Sequence, residues 1–231
     1  MQIINEVWCV PDGDELIRKK IMENKKKDSN PKDIDLYYER KVREAALSRV
    51  TNFGTFIDVG ANVGIWSRPM SNLFEKVEAF EPTDKNRECL IKNLKDVNNV
   101  EIFHHGLGAS NRVGNLLQGV RNCGDCKIIY ADRIKGVVFG PGDVVNVRTL
   151  DSHNFNNIGL IKIDTQGHEL PILRGAIETI KKHRPVIVFE IDQNKDECCE
   201  LLESLGASRV WVQNKCNMVY SFDYLHNQFS N

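Results

Sequence analysis

Three places in the chain put a carboxylate at the end of an apolar run, and two of them follow it with glycine. In FIDVGANVGIW, residues 56–66, Asp58 precedes a loop in which Gly60 and Gly64 bracket Ala61 and Asn62 before a helix begins. In VEAFEP, Glu81 ends the next run, 23 residues after Asp58. In LIKIDTQGHE, residues 160–169, Asp164 ends the run, Gly167 follows, and His168 and Glu169 open a helix. Glycines let a backbone turn tightly and approach a ligand with no side chain between them, and the N–H groups of the following helix face the same crevice. A carboxylate beside such a loop repels phosphate and suits a cationic ligand. Glu81 stands where an acidic side chain takes ribose hydroxyls in nucleotide-binding α/β folds. Asp164, His168 and Glu169 together can orient an acceptor hydroxyl and take its proton.

Each of these features also has a plainer reading. The glycine loop can be a simple strand-to-helix turn, and Glu81 a surface residue ahead of Pro82. Asp164 can cap its turn while Glu169 complements a helix dipole. A dinucleotide turn reads G-x-G-x-x-G, and Asn62 stands where its second glycine admits the pyrophosphate. An NAD-dependent or nucleotide-sugar oxidoreductase is therefore the second enzyme reading; the third glycine and the Tyr–Lys pair it calls for are both missing. A third reading is a module that binds a cofactor and turns nothing over.

Side chains at strand ends need a sheet to hold them in register. Apolar runs at 55–59, 77–80, 100–103, 158–163, 185–191 and 209–213 are short and rich in Val, Ile and Phe. Segments of helical period separate most of them, notably 84–95, 168–183 and 195–205. That alternation specifies an α/β fold with a buried, largely parallel sheet. RVWVQ and NMVYSF are close enough for an antiparallel hairpin at the sheet edge, giving seven strands with the last antiparallel. Helices are expected over 12–24 and from Ile34 to about residue 50, so residues 1–50 read as a helical extension, a possible substrate lid, on a domain spanning 51–231. The glycine-dotted stretch 106–150 reads as a hairpin or irregular excursion.

Composition excludes more than it identifies. With 31 Lys and Arg against 32 Asp and Glu, no net field recruits nucleic acid or an anionic membrane. No window has the apolar length of a membrane span, and the N-terminus lacks the pattern of a secretory signal, so a cytoplasmic protein is expected. The seven cysteines are scattered rather than framed, which suits reduced core thiols. Cys123 and Cys126 have CxxC spacing, but a structural zinc site needs four ligands and no second pair follows; a hairpin with Gly124-Asp125 at its tip is the expected structure, and no metal is expected.

FIDVGANVGIW, VEAFEPTDKNRECLIKNL, VRTLDS and LIKIDTQGHELPILRGA followed by RPVIVFEI, in this order and over roughly residues 54–192, resemble the FkbM family of S-adenosylmethionine-dependent methyltransferases. The resemblance implies a class I methyltransferase fold, a Rossmann-like sheet with helices on both faces. It also implies S-adenosylmethionine as cofactor and O-methylation of a hydroxyl on a sugar or small metabolite. Asp58, Gly60, Ala61, Asn62 and Gly64 would line the methionine part of the cofactor, Glu81 would take the ribose, and Gly106 and Leu107 would flank the adenine. Asp164 and His168 are the candidate bases, with Glu169 beside them. Two departures stand out: Thr165-Gln166 replaces the family's usual Val-Glu, and Pro69 falls inside the first cofactor helix, where it removes a backbone hydrogen bond.

Overall fold

The computed structural model describes residues 1–4, 8–23, 39–118, 126–130, 144–191, 194–212 and 216–222. The chain opens with two short antiparallel strands, β1 (Gln2–Ile4) and β2 (Trp8–Val10), followed by helices α1 (Glu15–Glu23) and α2 (Arg40–Leu47). Then comes the alternation that the apolar runs require: β3 (Thr55–Val59), α3 (Ser67–Met70), β4 (Lys76–Phe80), α4 (Asp84–Asn93) and β5 (Val100–Phe103). Four further strands follow, β6 (Gly106–Leu107), β7 (Arg112–Gln118), β8 (Cys126–Ile129) and β9 (Val144–Arg148). The last third carries β10 (Ile158–Ile163), α5 (Glu169–Arg174), α6 (Ile177–His183), β11 (Val186–Glu190), α7 (Lys195–Ser204), β12 (Ser208–Val210) and β13 (Asn217–Ser221).

The main sheet has seven strands in the order β12-β13-β11-β10-β3-β4-β5. It is mixed: β13 runs antiparallel to both β11 and β12, and the remaining neighbours are parallel. The antiparallel strand expected at the edge thus lies one place inside it, and β12 forms the edge. Strand order runs outward in opposite directions from β3 and β10, so the crevice beyond their carboxyl ends is the topological switch point where ligands of open α/β sheets bind.

Alternate residues face opposite layers, as a pleated strand dictates. Phe56, Leu160, Val186, Val188 and Val219 pack with Trp8, Ile17, Ile21, Val42 and Ala46, so the N-terminal elements share one core with the sheet. Ile57, Ile161, Ile163, Ile187 and Phe189 pack with Leu173, Ile180, Cys198 and Leu202 of α5, α6 and α7 on the other face.

The structure departs from the sequence pattern in four places. The hairpin expected within 106–150 forms as β7 and β8, but as part of a second sheet of order β6-β9-β7-β8. The helix expected over 168–183 is two, α5 and α6, broken at Gly175-Ala176. A Cβ on Gly175 would lie 2.0 Å from the Gly108 carbonyl oxygen, so the chain of the second sheet occupies the space at the break. Asp151 caps the new start by accepting from the amides of Glu178 and Thr179. Pro69 sits in α3, a single turn, and the turns before it are closed by Arg68 N–H to Gly64 carbonyl and Met70 N–H to Trp66 carbonyl. The run 209–213 yields only the short β12, with Trp211 exposed beyond it. The hairpin of β7 and β8 pairs Gln118 with Cys126; its expected tip at Gly124-Asp125, with Cys123, lies outside the described residues, as do Ile34, Tyr37 and Tyr38.

Candidate active site at the switch point

A cavity of about 210 Å³ opens beyond the ends of β3, β4, β10 and β11. Gly60, Ala61, Asn62, Glu81, Gly106, Leu107, Asp164, Gln166 and His168 border it, together with residues the motifs did not single out: Lys162, Glu190, Glu39 and, from α1, Leu16, Ile17 and Lys20. Asp58, Gly64 and Glu169 do not line it.

The loop after β3 is shaped by protein contacts as well as by the cavity. Gly60, Asn62 and Gly64 all have positive φ, at 75°, 52° and 96°. A Cβ on Gly60 would fall 1.9 Å from the Asp164 carbonyl oxygen, and one on Gly64 would fall 2.9 Å from Leu90 Cδ1. The glycines thus permit close approach to β10 and α4, where the sequence alone suggested a ligand. Asn62 turns its backbone N–H onto Glu81 Oε2 at 2.9 Å, and Thr83 N–H donates to Glu81 Oε1 at 2.8 Å. Asn62 Oδ1 is buried with no hydrogen-bond partner among the described residues. Burial pushes the Glu81 carboxyl above its ordinary range, against the pull of these amides.

Asp58 is sealed beneath this loop. It accepts from Ser67 Oγ at 2.6 Å and faces Lys162 Nζ at 3.2 Å across the register of β3 and β10. Lys162 Nζ also donates to the Gly60 carbonyl at 2.8 Å. Burial alone would depress this ammonium; the carboxylates of Asp58, Asp164 and Glu39 outweigh it and hold Lys162 above the usual lysine range. Sequence reasoning passed over Lys162, although a lysine inside IGLIKI is the one charge in an otherwise apolar strand.

The far end of the cavity is acidic. Gln166, at a positive φ of 56°, donates through Nε2 to Asp164 Oδ1 at 3.1 Å and to Glu190 Oε2 at 2.6 Å. Glu39 accepts from Trp66 Nε1 at 2.7 Å. Burial, then the neighbouring carboxyl of Asp164, push Glu190 up to about 8. Glu169 turns back into its own loop, where its Oε1 accepts from Thr165 N–H at 2.8 Å and from Thr165 Oγ1 at 3.1 Å. The His168 ring reaches toward the second sheet, with Nε2 3.1 Å from Tyr130 Oη. Arg112 stacks its guanidinium 3.6 Å from the centroid of the Tyr130 ring. Among the described residues no group of three or more His, Cys, Asp or Glu is arranged to hold a metal, and no helix is long and apolar enough to cross a membrane.

Comparison with known proteins places the fold and the family. The fold is similar to the crystal structure of methyltransferase FkbM from Methylobacillus flagellatus KT, 19% identical, at a TM-score of 0.53 over 73% of this chain and 43% of that one. It is also similar to an rRNA methylase from Streptococcus thermophilus, 14% identical, at a TM-score of 0.50 over 79% of this chain and 94% of that one. The chain thus spans less than half the length of the FkbM structure it matches. A comparison with curated proteins returns no match. The profile of the Methyltransferase FkbM domain matches residues 58–222, from the aspartate under the glycine loop to the end of β13, and the chain belongs to that family of methyltransferases.

Proposed function

We propose that the cavity binds S-adenosylmethionine and that the protein methylates a hydroxyl of a small metabolite or glycan. The observation that carries the cofactor reading is Glu81. Its two oxygens are pinned by the Asn62 and Thr83 amides at the rim of the cavity, and each keeps a lone pair for a ribose hydroxyl. The buried Oδ1 of Asn62 beside it, without a partner among the described residues, calls for a donor such as an ammonium group. Gly106 and Leu107, with Phe80 and Pro82, offer the apolar wall that an adenine ring needs. When bound, the cofactor supplies an electrophilic methyl group on a sulfonium.

The protein's own part is to hold an acceptor oxygen in line with that methyl, exclude water and receive a proton. Asp164 and His168 border the cavity where this happens. Asp58 acts from below: with Lys162 it fixes the ends of β3 and β10 against each other. Acceptor choice belongs to the parts that vary most around a fixed scaffold. Here those are residues 1–50, through Leu16, Ile17, Lys20 and Glu39, and the second sheet, through Leu116, Cys126 and Ile128.

Calorimetry tests the reading. S-adenosylmethionine and S-adenosylhomocysteine should both bind and NAD should not. Glu81→Ala should weaken the first two by about 1–3 kcal/mol, the scale of hydrogen bonds to a charged group. Unchanged affinity in that variant would remove Glu81 from the site.

A further inference from the structure

Asp164 and Glu190 end adjacent parallel strands, and both face the cavity. Both accept from one amide nitrogen, Gln166 Nε2, at 3.1 and 2.6 Å, and two carboxylates gathered on one donor repel, which favours a proton on one of them. The Gln166 amide spans the pair, one N–H to each, and its residue holds a left-handed backbone that L side chains adopt at a cost. Lys162 Nζ stands 3.9 Å from Asp164 Oδ2. Glu190 instead faces Asp164, Glu169 and Glu39.

We propose that Glu190 holds a proton beside Asp164, gives it up when a sulfonium enters the cavity, and then takes the hydroxyl proton of the acceptor. This rests on the cofactor reading above and adds to it the identity of the base. The charge balance closes at each stage. With the cavity empty, Glu190 is neutral and Lys162 balances one carboxylate. A sulfonium brings a positive charge, so the Glu190 proton leaves to solvent. In the transfer, an acceptor lone pair forms the new C–O bond, the S–CH₃ electron pair stays on sulfur to give a neutral thioether, and the acceptor proton passes to Glu190. The proton thus replaces the positive charge that the sulfonium loses. Burial and the neighbouring carboxyl of Asp164, which push Glu190 up to about 8, favour the protonated form before the cofactor arrives; the sulfonium lowers it, and the loss of that charge in the transfer restores its basicity as the acceptor proton arrives. Gln166 supplies the donor that lets the two carboxyls stay together.

The test needs no acceptor. Calorimetry at pH 6.5 in buffers of different ionisation enthalpy counts protons released on binding, under conditions where the ammonium groups of both ligands stay charged. S-adenosylmethionine should release of order one proton more than S-adenosylhomocysteine. Its affinity should rise up to about tenfold per pH unit toward pH 8, while that of S-adenosylhomocysteine stays flat. In Glu190→Gln the difference between the two ligands should vanish. Equal proton counts for the two ligands in the unmodified protein, or a difference that survives Glu190→Gln, would overturn the proposal and leave the cofactor reading standing. No binding of either ligand would overturn both.

Discussion

At the floor of the cavity, a lysine in an apolar strand faces an aspartate on the next strand, both sealed from water. Removing one partner of such a pair strands the other charge in a low-dielectric interior. Lys162→Met should therefore destabilise the fold by about 3–5 kcal/mol in urea denaturation. Adding Asp58→Asn should recover a large part of that loss, because the neutral amide still accepts from Ser67 and no unpaired charge is left at the sealed floor, Asp164 being part-exposed. Equal or greater loss in the double variant would contradict the pairing. The sequence announced Asp58 and Glu81 by their position at the ends of apolar runs. It did not announce that Asp58 is spent on Lys162, because register between β3 and β10, over a hundred residues apart, decides which side chains meet. Glu190 was hidden for the same reason: it reads as the last residue of a strand until Asp164 stands beside it.

Among the elements, β2 shows how a three-residue strand is held. Asn93 of α4 accepts from the Cys9 amide at 2.6 Å and donates to the carbonyls of Cys9 and Val63 at 2.8 Å each. The Cys9 and Cys89 thiols meet beside it at 3.3 Å. One side chain thus ties the N-terminal hairpin to α4 and to the loop after β3. Asn93→Ala should cost about 2–4 kcal/mol by thermal or chemical unfolding, since it leaves one buried donor and two buried acceptors unsatisfied. A loss below half a kcal/mol would mean that the hairpin is held by apolar packing alone. The β-α alternation of the main sheet was legible because buried parallel strands read as continuous apolar runs. Of the second sheet only the β7–β8 hairpin was legible, since its strands expose Val113, Leu117 and Val144, which blurs the period. The break between α5 and α6 was invisible too: Leu170, Leu173, Ile177 and Ile180 keep helical spacing straight through Gly175, and only the contact with Gly108 interrupts it.

Over the whole molecule, the two apolar layers do one thing for the site: they fix four strand ends around a single crevice. N-terminal elements close one layer and α5, α6 and α7 the other. The carboxylates gather in that crevice because β3 and β10 part company in strand order there. The most direct test of the cofactor claim is a crystal structure grown with S-adenosylhomocysteine. It should place the ribose hydroxyls on Glu81, the adenine against Leu107, and the thioether sulfur toward Asp164 and Glu190. A ligand seated elsewhere, or in this cavity with its ribose away from Glu81, would contradict the account.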